Sequence, residues 1–347
     1  MPTASAMASR YCFPAASATF RTALTPAIVP MKTRLDFYRH PKSFLGTESS
    51  MRLTKSKPLR KWIPSGAWDC HMHVTDRRYP VVAEAAYQTR PGQGIDDAMA
   101  FESTLRIKNV VLVQPSIYGT DNSCLLDALR RIGPSRGRGV VDIDPRETKV
   151  STLREWHSLG VRGVRVNFMS KGVTPVHQQL DDALSKRARL IRDLGWMIQV
   201  HTPMSTMPHL EEIIPKLGVK VCIDHFGCPD LPKLKWDQGA YFDPYLLRGF
   251  PSLMNLLQGG LTWVKVSAPY RFSKDEKLRD MDVLAREFIR EAPTRVVYAT
   301  DWPHTRFRNV DIEPFTEMCL RRCGSWAVAK RVFRYNTEEL MDCRLNI

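Results

Sequence analysis

Residues 180–202 read LDDALSKRARLIRDLGWMIQVHT. Leu180, Leu184, Ala188 and Ile191 recur at three- and four-residue spacing, which predicts a helix over 180–194 with one apolar stripe. Gly195 stands where a helix C-cap favours a residue free of Cβ. Residues 197–202 then form a short, nearly continuous apolar run, the pattern of a strand covered on both faces. Helix, glycine and buried strand in that order make half of a βα repeat.

The same punctuation recurs on both sides. Further strand-like runs lie at 67–74 (AWDCHMHV), 109–116 (NVVLVQPS), 139–144 (GVVDID), 161–168 (VRGVRVNF), 219–226 (VKVCIDHF), 263–268 (WVKVSA) and 296–301 (VVYATD). Amphipathic segments fall between them at 96–107, 123–132, 149–159, 207–217, 245–258 and 274–291, with 313–322 and 325–332 closing the series. Gly133, Gly160 and Gly218 follow helices as Gly195 does. Strand-then-helix units repeated eight times predict a (β/α)8 TIM barrel. An open doubly wound sheet is the alternative, and no glycine-rich phosphate fingerprint follows the first strand to favour it.

The chain has 347 residues, of which 43% are hydrophobic and 25% charged, ordinary values for a globular protein. No apolar run reaches the roughly 18–20 residues of a membrane helix, so no membrane partner is expected. The net charge is +15. Residues 1–60 hold ten basic and two acidic residues, so over half the excess sits there. A nucleic-acid binder needs its basic residues on a folded face, which this distribution disfavours. Residues 1–60 have the Ala-, Ser- and Arg-rich composition of a transit peptide, and a flexible extension is the plainer reading. Residues 61–347 are assigned to the barrel. The expected location is cytoplasmic, or mitochondrial if the extension is a transit signal. The eight cysteines are dispersed with no CxxC pair, which excludes a disulfide scaffold and zinc-finger spacing.

A barrel gathers the C-terminal ends of its strands at one mouth. His71 and His73 close the first strand, two apart and so on one side of it. His201 ends the fifth, His225 the sixth and Asp301 the eighth. Alternation turns Asp224 away from His225 and Arg162 away from Arg165, so both Asp224 and Arg162 read as structural. Imidazoles with a carboxylate can hold a divalent metal that activates water. They can equally polarise a carbonyl while Asp301 takes a proton. Spacing accommodates both.

The order HxH, His, His, Asp resembles the amidohydrolase superfamily. The strings WDCHMHV, VLVQPSIYGTDN, GVRGVRVNF, IDHFG and ATDWPH resemble its lactonase branch, which contains hydrolases of 2-pyrone-4,6-dicarboxylate, over about residues 66–343. That resemblance implies a hydrolase of a small anionic cyclic ester. His71, His73 and His225 would polarise the carbonyl and Asp301 would deprotonate water. Tyr87, Ser116, Arg165 and Arg271 would contact the substrate. Lys171 stands where the branch is expected to carry arginine, and His201 where it carries tyrosine. The branch works without metal, so no cofactor is expected. The alternative is one divalent zinc or manganese held by His71, His73, His201 and Asp301. Competing functions are decarboxylation of an aromatic or unsaturated acid on the same site, and a silent barrel that only binds.

Overall fold

The computed structural model describes residues 58–343. The transit-peptide reading of 1–60 therefore falls almost wholly outside the described residues. Eight parallel strands follow one another in sheet order: β1 Trp68–Met72, β2 Asn109–Val113, β3 Gly137–Val141, β4 Val161–Asn167, β5 Met197–His201, β6 Val221–Ile223, β7 Thr262–Val266 and β8 Val296–Tyr298. An isolated parallel bridge links Met72 of β1 to Trp302, four residues beyond the end of β8. The TIM barrel read from the sequence is the fold observed.

Helices connect the strands: α1 Ile95–Thr104, α2 Ser123–Ile132, α3 Val150–Ser158, α4 His177–Ile191, α5 Met207–Leu217, α6 Phe250–Gln258, α7 Arg279–Glu291 and α8 Glu313–Cys323. Helix α4 buries Leu180, Leu184, Ala188 and Ile191, the stripe that opened the reading. Gly195 and Gly218 sit at φ 66°, the left-handed geometry that a Cβ disfavours. Among the described residues no helix is long and apolar enough to cross a membrane.

The strands are shorter at their C-terminal ends than the apolar runs suggested. β6 stops at Ile223 and β8 at Tyr298, because the backbone beyond them turns left-handed at His225, Phe226 and Asp301 (φ 46°, 57° and 63°). Trp68, Cys70, Val111, Val113, Val140, Met197, Cys222, Trp263, Val297 and Ala299 pack into one cluster. Residues from seven strands meet there, so the cluster fills the barrel interior. It is a dry floor, and the polar residues stand on it.

Candidate active site

The β1–β2 register shifts between Asp69 and Met72. This irregularity lets Cys70 join the apolar floor while His71, next in sequence, turns to the polar cluster. His73 Nδ1 lies 2.7 Å from the Val113 carbonyl. A carbonyl only accepts, so that nitrogen carries the proton and a neutral His73 presents a bare Nε2. His71 Nε2 is 3.2 Å from it.

Asp301, 1% exposed, is the centre of the arrangement. Its Oδ2 accepts from the Tyr270 hydroxyl at 2.6 Å and from Arg271 Nε at 2.8 Å. Its Oδ1 has no hydrogen-bond partner among the described residues. That free oxygen faces Nε2 of His71, His73 and His225 at 3.6, 3.8 and 3.9 Å. Burial pushes the Asp301 carboxyl up, but the Arg271 guanidinium above all holds it well below the usual carboxylate range.

The imidazoles are neutral at physiological pH. Burial lowers His73 and His225 to about 4, and holds His71 and His201 well below their ordinary value. Nearby cations add to this, Arg165 at His73 and Lys265 at His71. His225 Nδ1 bonds the Ser267 hydroxyl at 2.8 Å. Arg165 donates to the Gln114 carbonyl at 2.8 Å and lies 3.4 Å from His201 Nδ1. A guanidinium only donates, so His201 Nδ1 is bare and its Nε2 carries the proton.

A small cleft opens above these groups. Its lining includes His73, Tyr87, Ser116, Arg165, His201, His225, Arg271 and Asp301. The structure thus brings eight of the ten sequence-read positions to one cleft, with His71 directly beneath. The Lys171 side chain lies outside the described residues. Ser170, Thr305 and Arg306 complete the lining, and sequence reading had not singled them out. A larger cleft beside Arg77, Arg90 and Arg131 shares no residue with this one. Arg162 ion-pairs with Asp342 at 3.8 Å, the structural role expected of it.

Asp224 needs correction. Strand alternation does not continue past Ile223, and Asp224 points inward, 3.4 Å from His71 Nδ1. Burial pushes its carboxyl up, but Lys265 and His71 outweigh this and hold it well below the usual range. Lys265 and Gln199, both fully buried, also belong to the cluster and were missed.

Two groups could hold a metal ion by distance: His71 with His73 and Asp301, and His71 with Asp224 and His225. Of the four-residue set read from the sequence, His71, His73 and Asp301 form one of these groups; His201 is in neither, and Arg165 lies 3.4 Å from its Nδ1. Charge opposes a dication at either group. Lys265, Arg165 and Arg271 already outnumber Asp224 and Asp301, and Lys265 Nζ stands 3.2 Å behind His71.

Residues 68–340 match the amidohydrolase family. The chain belongs to that family, and it is an enzyme of the hydrolase class. It is 33% identical over 265 residues to the 4-sulfomuconolactone hydrolase of Hydrogenophaga intermedia, covering 74% of this chain and 81% of that one. It is 32% identical over 267 residues to the 2-pyrone-4,6-dicarboxylate hydrolase of Comamonas testosteroni, covering 73% and 82%. A Pseudomonas putida crystal structure assigned as a 2-pyrone-4,6-dicarboxylic acid hydrolase aligns with TM-score 0.67 at 28% identity, over 81% of this chain and 99% of that one.

Proposed function

We propose that this amidohydrolase opens a lactone, or a closely related activated ester, in a small molecule bearing carboxylate or other anionic groups. One observation carries the reading: Asp301 offers an unpaired, buried carboxylate oxygen to three imidazoles, beside Arg165 and Arg271. The two lactone hydrolases it resembles support the same chemistry.

Asp301 Oδ1 is a free acceptor, suited to hold a water by one of its hydrogens. Asp301 takes a proton from that water as its oxygen attacks the carbonyl carbon. Negative charge gathers on the carbonyl oxygen, against N–H groups of His71 and His225. The ring C–O bond then breaks. Asp301 returns its proton to the departing ring oxygen, leaving a hydroxyl (or its keto tautomer) and a carboxyl group. Arg165, Arg271, Ser116, Tyr87, His201 and Lys171 orient the anionic substrate.

Arg271 has a double role in this scheme. In the free protein it holds Asp301 acidic, which makes the carboxylate a poor base. An anionic substrate draws the guanidinium toward itself, and the Asp301 pKa rises as the water comes into place.

We further propose that the site works without a resident metal, since the positive charge around the imidazoles supplies what a dication would. The test is hydrolysis of a lactone panel that includes 2-pyrone-4,6-dicarboxylate, before and after exhaustive chelation, with zinc and manganese measured. Turnover that survives chelation is expected. Loss restored by stoichiometric zinc or manganese would overturn the metal-free scheme. Release of carbon dioxide in place of ring opening would overturn lactone hydrolysis in favour of decarboxylation.

A further inference from the structure

A lysine with no exposed surface lies under the reacting groups, and the proposed chemistry gives it nothing to do. Lys265 is the fourth of the five residues of β7, 0% exposed. Lysine is almost never fully buried without partners. Its Nζ lies 2.6 Å from Gln199 Oε1, 3.2 Å from His71 Nδ1 and 3.4 Å from Asp224 Oδ1. An ammonium has three hydrogens and no lone pair, and here it meets three acceptors. The Gln199 amide is oriented to match, since its Nε2 donates to Asp224 Oδ2 at 2.9 Å.

His71 Nδ1 therefore has two rival neighbours. Asp224 Oδ1, at 3.4 Å, favours a proton on Nδ1. Lys265 Nζ, at 3.2 Å, favours a bare Nδ1. The other end of the ring adds to the Lys265 side. His73 Nε2 is bare, because its Nδ1 donates to Val113, and it stands 3.2 Å from His71 Nε2. Two bare nitrogens at that distance repel, so His71 Nε2 carries the proton. Nδ1 is then an acceptor that only Lys265 can satisfy.

We propose that Lys265 is a positioning residue that locks His71 in the Nε2–H tautomer, so that an N–H shared with His73, and not a lone pair, faces the reacting carbonyl. It makes no contact with substrate. Its ammonium also offsets Asp224, which would otherwise claim the Nδ1 proton and turn a bare Nε2 toward the site. The catalytic consequence rests on the lactonase reading above; the tautomer assignment does not.

The experiment is nitrogen-15 NMR of the histidine rings in the full-length protein, with His71 assigned by His71→Gln. The wild type should show a protonated Nε2 and a bare Nδ1 at His71. In Lys265→Met the pattern should reverse, with Nδ1 protonated toward Asp224. kcat on a lactone should fall about 100-fold, the size of losing one oxyanion donor, with KM little changed. The double variant Lys265→Met/Asp224→Asn removes both charges and lets the Asn amide donate to Nδ1. It should recover the Nε2–H tautomer and most of kcat. A wild type protonated at Nδ1, from whatever cause, overturns the proposal, and this holds even if Lys265→Met fails to fold. A folded Lys265→Met protein that keeps Nε2–H also overturns it. If the tautomer reverses as expected while no lactone is turned over, the role of Lys265 stands and the lactonase reading falls.

Discussion

Asp69 and Asp301 are both buried carboxylates, and both hydrogen-bond to the backbone of His71. Asp69 Oδ1 accepts from the His71 N–H at 2.9 Å, and the Asp301 N–H donates to the His71 carbonyl at 3.0 Å. Their surroundings are opposite. Asp301 faces Arg271, Tyr270 and a cleft, and its pKa is depressed. Asp69 faces Thr300 and a second carboxyl, Glu102, and burial raises its pKa. Burial alone makes an acid reluctant to ionise. Cations keep an acid ionised, and an open cleft leaves its free oxygen within reach of a ligand. The Asp69 side serves the other, because the Thr300 backbone N–H and hydroxyl are both tied to Asp69 and Thr300 precedes Asp301. Asp69 thereby holds the turn that presents Asp301 to the cleft.

The strongest way to break that contrast is Asp301→Asn. An amide cannot take a proton from water, so turnover should drop by about 10²–10⁴-fold, the range of a lost general base. The circular dichroism spectrum and melting temperature should stay near wild type. An Asp301→Asn protein of near-normal activity would show that Asp301, like Asp69, is only structural.

Arg271 and Arg165 sharpen it. Removing either from an anionic substrate should cost about 2–5 kcal/mol of binding, read as a rise in KM. The two should then part company. Arg165 does not touch Asp301, so the pH profile of Arg165→Ala should keep its wild-type acid limb. Arg271→Ala removes the guanidinium 2.8 Å from Asp301, so the carboxyl pKa rises and the acid limb of kcat/KM moves to higher pH. An unmoved limb in Arg271→Ala would separate the arginine from the base.

The fold was legible because each repeat carries its own punctuation: an amphipathic stripe, a glycine, then an apolar run. The histidines and Asp301 were legible because they end those runs. Alternation failed where the backbone turns left-handed, so Asp224 was assigned outward although it touches His71. It also did not reveal the β1 irregularity that seats Cys70 and His71 on the same side of the strand. Lys265 and Gln199 left a signal that went unused. Each is a polar residue inside an otherwise apolar strand, in TWVKV and MIQVH, where a buried parallel strand has no solvent to offer. Their partners lie on other strands, and only the closed barrel brings them together. Tyr270 and Glu102 sit in a loop and a helix, where their contacts with Asp301 and Asp69 depend on how those segments pack.

The smallest expected effect concerns the structural side. Neither Glu102 oxygen is offered a donor among the described residues, so the group is satisfied by carrying a proton and giving it to Asp69. Burial first, and the Asp69 charge second, push its pKa well above the ordinary 4.5. Between 4.5 and the raised value the unfolded chain releases the Glu102 proton while the folded chain keeps it. The unfolded state then binds fewer protons, so stability falls as pH rises through that window. The two acids titrate together, and the window belongs to the pair. Glu102→Gln places a permanent amide donor against Asp69 and removes the titration. Its melting temperature should match wild type near pH 4.5 and exceed it progressively toward pH 8. Turnover of Glu102→Gln should stay within about twofold of wild type, since no reacting atom touches it. A variant that is less stable at every pH by the same amount would mean that Glu102 is ionised in the folded protein, and Asp69 would then need a cation of its own as Asp301 does.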